Sequence, residues 1–81
     1  MVRVTIGNNM KRQAYNLDPN TTLRTALEQA GIDYTVGMTT LDGYTLGLGD
    51  LNKTLAECGF DGTEGKDKCF LLNVVKADNA N

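Results

Sequence analysis

Residues 17 to 31, LDPNTTLRTALEQAG, write one short amphipathic helix into a chain whose other patterned segments alternate like strands. Asp18, Pro19 and Asn20 turn the backbone, and a helix is expected to start at Thr21 or Thr22 and run to Ala30. Leu23, Ala26, Leu27 and Ala30 recur at i, i+3, i+4 and i+7, which is one apolar stripe, while Arg24, Thr25, Glu28 and Gln29 take the other side. A threonine hydroxyl can accept a first-turn N–H, and Gly31 can take the left-handed conformation that closes the last turn. A helix of about ten residues is marginal alone, so its stripe must lie on a partner surface.

The flanking segments supply that surface. Upstream, Met1 to Ile6 places Val2, Val4 and Ile6 on one side and Arg3 and Thr5 on the other, the pattern of a half-buried strand. Gly7-Asn8-Asn9-Met10 reads as a turn, and Lys11 to Leu17 as a second, edge strand whose charges discourage foreign pairing. Downstream, Ile32 to Thr35 is a connection, with Ile32 plugging the end of the core. Val36 to Leu41 is a third strand weakened by Gly37. Asp42-Gly43 is a hairpin turn to a short fourth strand, Tyr44 to Leu46. Asp50 can cap a short second helix, Leu51 to Cys58, with Leu51 and Leu55 four apart. A polar, exposed and mobile loop, DGTEGKD, fills 61–67. Lys68 to Lys76, KCFLLNVVK, is the most apolar run and the natural central strand. Residues 77–81 read as a flexible polar tail, leaving one domain over 1–76. The low-cost packing is an α+β layer pair, with the last strand inserted beside the first and parallel to it.

Composition narrows the function. The 81 residues carry a net charge of −2 at a pI near 4.8 and are 41% hydrophobic, which fits one small globular domain. The basic residues are scattered along the sequence and do not interleave with aromatics, so no nucleic-acid partner is expected. MVRVTIGNN has no basic region followed by a long apolar run, and no segment suits a membrane span. The chain is therefore expected to be cytoplasmic, with no membrane association and with reduced cysteines.

Three pieces resemble the ubiquitin-like β-grasp domains: the strand-hairpin-strand that begins at Met1, the helix opening DPNTTLRTALEQAGI, and LDGYTLGLGDL with its Asp-Gly turn and short helical turn. The resemblance spans roughly residues 1 to 76, and bacterial and phage members of this group exist. It implies a mixed sheet ordered 2-1-5-3-4 with the main helix across its concave face and a short second helix. Members that are conjugated or carry sulfur end in Gly-Gly. Here the last residues are Asp78-Asn79-Ala80-Asn81 and no Gly-Gly pair occurs, so a covalent modifier or sulfur carrier is the alternative function, not the leading one.

Catalysis has little to stand on. There is no histidine, and Asp42, Asp50, Glu57, Asp61, Glu64 and Asp67 fall where turn, cap or loop chemistry explains them. Cys58 and Cys69 are too few for an iron–sulfur or zinc site and read as small hydrophobes. No cofactor or metal is expected. The last strand is more telling. Phe70, Leu72 and Val74 are expected to meet the helix, leaving Cys69, Leu71, Asn73 and Val75 on the opposite face. Leu71, Asn73 and Val75, with Val36 or Met38 from the third strand, would then form an exposed partner-binding patch. On this reading Leu71→Asp spares the fold and Leu72→Asp destroys it. The expected function is a non-enzymatic interaction module, an adaptor or small subunit that docks on a protein partner through this face or pairs there with a second copy.

Overall fold

The computed structural model describes residues 1–75; the polar tail expected at 77–81 lies outside the described residues. Five strands are formed: β1 (Val2–Gly7), β2 (Arg12–Leu17), β3 (Met38–Leu41), β4 (Tyr44–Thr45) and β5 (Lys68–Val74). They make a single mixed sheet in the order β2-β1-β5-β3-β4. β1 and β5 run parallel at its centre, and every other neighbour is antiparallel. One helix, α1 (Leu23–Gln29), covers one face. This is an α+β fold, and its strand order is the one expected from the sequence.

Local chemistry sets the bounds of α1. The Thr22 hydroxyl accepts from the Thr25 N–H at 3.1 Å, an N-cap. At the other end Gly31 has φ +73°, its N–H reaches the Glu28 carbonyl, and the Ile32 N–H reaches the Leu27 carbonyl. Those two bonds form a Schellman closure. Leu23, Ala26 and Leu27 are fully buried. They pack with Val2, Val4 and Ile6 of β1, Leu17 of β2, Leu41 of β3, and Cys69 and Leu71 of β5.

The segment from Leu48 to Phe60 departs from expectation. Its short helix is a 3₁₀ turn at Leu48–Asn52, ahead of the expected Leu51 to Cys58. Asp50 sits inside that turn, and its carboxylate accepts from the Gly47 N–H at 2.9 Å. The physical reason lies at Lys53, which is extended and offers its carbonyl to the Leu23 N–H at 3.0 Å. That bond satisfies a first-turn donor of α1 which has no partner within the helix. Thr54 bridges to Thr22, and the Leu55 N–H reaches the Thr21 carbonyl. The chain then makes one tight turn in which Thr54 and Glu57 exchange side-chain-to-backbone bonds. Leu51 and Leu55 are both buried, as their spacing suggested.

Two further expectations are modified. β3 starts at Met38, not Val36, because Gly37 lies at φ +73°, with room for no side chain: a Cβ there would sit 2.6 Å from the Val74 carbonyl oxygen. The 61–67 loop is exposed but internally bonded, with the Asp61 carboxylate taking the Thr63 N–H and the Gly62 N–H on the Lys66 carbonyl. Its end is fixed to β1 where the Arg3 N–H meets the Asp67 carbonyl at 2.7 Å.

Candidate functional site

Register decides which side of β5 is inside. Val4 lies opposite Cys69 and Ile6 opposite Leu71 in the parallel β1–β5 pair, and Leu41 lies opposite Leu71 in the antiparallel β3–β5 pair. Residues paired across a ladder point to the same face. Cys69, Leu71 and Asn73 therefore join the core stripe of β1 and are 2%, 0% and 3% exposed. The expectation for the two faces is reversed. Leu71 and Asn73 cannot be partner-binding residues, because both are buried on the core side of the sheet, Leu71 in the cluster with α1 and Asn73 against Val36 and Thr39. Phe70, Leu72 and Val74 do not meet the helix; they look out from the uncovered side.

Asn73 sits inside at no great cost because its amide is paired. Its Nδ2 donates to the Val36 carbonyl at 2.9 Å and to the Thr39 hydroxyl at 3.0 Å. Thr39 faces it across the ladder and is also buried. A buried amide with partners is tolerated where an unpaired one is not.

The open face is read by the same register. Along β5 it carries Lys68, Phe70, Leu72 and Val74; Arg3 and Thr5 stand beside Lys68 and Phe70 on β1, and Thr40 and Met38 beside Leu72 and Val74 on β3. Phe70 is 49% exposed and Met38 50% exposed, while Leu72 and Val74 are half-buried. Val36 and Val75, also expected in the patch, are exposed as well, but both lie outside the strands. A hollow of about 300 Å³ opens among Arg3, Thr5, Lys68 and Phe70. Asp42 trims the patch: at the turn after β3 its N–H reaches the Phe70 carbonyl and its carboxylate accepts the Phe70 N–H at 2.8 Å. With φ +49° at Asp42 and +90° at Gly43, the turn is the hairpin expected from the sequence.

Most of the carboxylates are occupied by the chain's own backbone, Asp42 among them. Asp18 takes the Asn20 N–H, Asp33 the Thr35 N–H, Asp50 the Gly47 N–H, Glu57 the Thr54 N–H and Asp61 the Thr63 N–H. The Thr35 and Thr63 hydroxyls, which donate to Asp33 and Asp61 alongside these N–H groups, hold those two carboxyls below the usual carboxylate range; at Asp50 the Gly47 N–H does so, with Lys53 at 3.2 Å adding to the effect. Tyr34 moves the other way, because its hydroxyl donates to Glu28. Both cysteines are free thiols. Burial raises Cys58, and burial pushes Cys69 up to about 12, with nearby Asp42 and Cys58 adding to it. Neither thiol is poised as a nucleophile. Among the described residues no three His, Cys, Asp or Glu side chains converge on a metal position, and no helix is long and apolar enough to cross a membrane.

Phe70, Leu72, Arg3 and Lys68 are the face residues that the alternation of β5 alone assigned inward or left aside. One signal for them was present: Lys68 shares its parity with Phe70, Leu72 and Val74, and a lysine at a strand end marks the solvent side. Compared with protein-family models, with curated proteins and with solved structures, the chain has no match in any of the three.

Proposed function

We propose that this chain is a ubiquitin-like β-grasp domain acting as a non-enzymatic docking module, an adaptor or small subunit that binds a protein partner through its open sheet face. The carrying observation is the pair of half-exposed large side chains, Phe70 and Met38, on the face opposite α1, backed by the half-buried Leu72 and Val74. Contiguous apolar surface of this kind on a small domain marks an interaction site. The sheet order with one helix across it is compatible with the grasp architecture. Six of the acids are tied to backbone donors and burial raises both thiols, which favours binding over chemistry.

The test is quantitative capture from the native host, using the parent chain beside Phe70→Asp and, as a control on the helix side, Glu28→Gln. The proposal expects a defined partner that the parent and Glu28→Gln retain and Phe70→Asp loses. The same set of proteins on all three chains would reject it. A tail-linked adduct in the intact mass would instead favour the covalent modifier.

A further inference from the structure

The charged residues of the sheet are distributed unevenly. Every charged side chain within a strand is basic (Arg3, Arg12 and Lys68), and every acid of the described residues lies in a turn, a loop or α1. All three bases share the open face with Phe70: Arg3 is paired with Lys68 across β1 and β5, and Arg12 stands on β2 opposite Gly7. Like charges placed opposite one another weaken a ladder. None of the three is in an ion pair: the one found among the described residues is Lys53–Asp50, and Asp67, the acid next to Lys68, makes no ion pair with it or with Arg3. The Asp42 carboxylate beside Phe70 is spent on the Phe70 N–H. A chain of net charge −2 thus gathers unneutralised positive charge around its exposed aromatic.

Building on the docking role proposed above, we infer that the partner is an acidic protein segment. One or two of its carboxylates sit over Arg3 and Lys68, at the hollow that Thr5 and Phe70 complete, and a large apolar side chain beside them lies on Phe70 and Leu72. The two bases select and steer, and the apolar stripe holds. An apolar partner alone would leave the bases desolvated and unpaired, which is disfavoured. A nucleic acid would need more stacking surface than one phenylalanine offers.

Short random peptides displayed on phage, selected against the immobilised full-length chain, test this without knowledge of the partner. Selected sequences should place Asp or Glu beside Leu, Ile, Phe or Trp. A labelled synthetic peptide of that kind should bind the Arg3→Glu/Lys68→Glu double variant at least about tenfold more weakly, should weaken with salt, and should recover when its own acids become lysines. Phe70→Ser should abolish binding, with all variants melting like the parent. Selected peptides that lack acids, lost by Phe70→Ser but indifferent to the double variant, would overturn the acidic partner and leave the docking face standing. No selection, or binding indifferent to both changes, would overturn both readings. Light scattering that finds a dimer displaced by the peptide would make a second copy the occupant. Stronger competition by an oligo(dT) strand would make it a nucleic acid. Either result overturns the inference.

Discussion

Cys69, Leu71 and Asn73 alternate along β5 with Phe70, Leu72 and Val74, and the two sets live in opposite surroundings. The buried set includes an amide; the open set is entirely apolar. Hydropathy therefore ranks them the wrong way round. What separates them is the company each keeps across the ladder. Val4, Ile6 and Leu41 arrive beside Cys69 and Leu71, and Thr39 brings its hydroxyl to Asn73. Burial in this sheet is set by register and by which face α1 covers, and the apolar surface left over outside has no role in the core.

The contrast is broken most severely at Leu71. Leu71→Asp should unfold the domain, and Leu71→Ala should cost about 2–5 kcal/mol in urea denaturation, because a fully buried side chain is removed from beneath α1. Next comes Asn73→Ala, expected to cost about 1–3 kcal/mol, since the Val36 carbonyl and the Thr39 hydroxyl would lose their shared donor. Cys69 contributes an effect confined to alkaline pH. Its thiol is pushed up to about 12 from an ordinary value of 9.0. Above pH 9 the unfolded chain gives up this proton while the folded one keeps it, so the unfolded state binds fewer protons and stability falls as pH rises. The contribution is intact below pH 9 and declines toward pH 12 by no more than about 1.4 kcal/mol per pH unit. Comparing urea midpoints of the parent and Cys69→Ala across that range isolates it. The smallest change is Phe70→Ser, expected to shift stability by about 0.5 kcal/mol, as for a surface position, while abolishing partner binding.

Much of this fold was legible in the sequence, and the reasons are local. α1 announced itself through the Leu23–Ala26–Leu27 stripe, the Thr22 cap and Gly31, all of which act within a few residues of each other. Asp42-Gly43 fixed its hairpin in the same way, and the apolar run from Lys68 required a central strand. The inward side of β5 was not legible, because both of its parities are apolar and only long-range pairing chooses between them. The open face followed from that choice: its existence could be inferred from one helix covering one sheet, but the residues on it could not. The short helix was displaced because Lys53 serves the Leu23 N–H, a bond between segments about thirty residues apart that no local pattern reports.

Methionine oxidation by peroxide, read by mass spectrometry on the free chain and on the complex that Phe70→Asp fails to form, puts the docking face to the most direct test. Met1, Met10 and Met38 are 70%, 88% and 50% exposed, so all three report, and only Met38 lies on the open face of the sheet. In the free chain all three should oxidise, and in the complex Met38 alone should slow while Met10 keeps its rate. Met38 oxidising equally fast in both states, or already shielded in the free chain, would contradict a partner seated on this face.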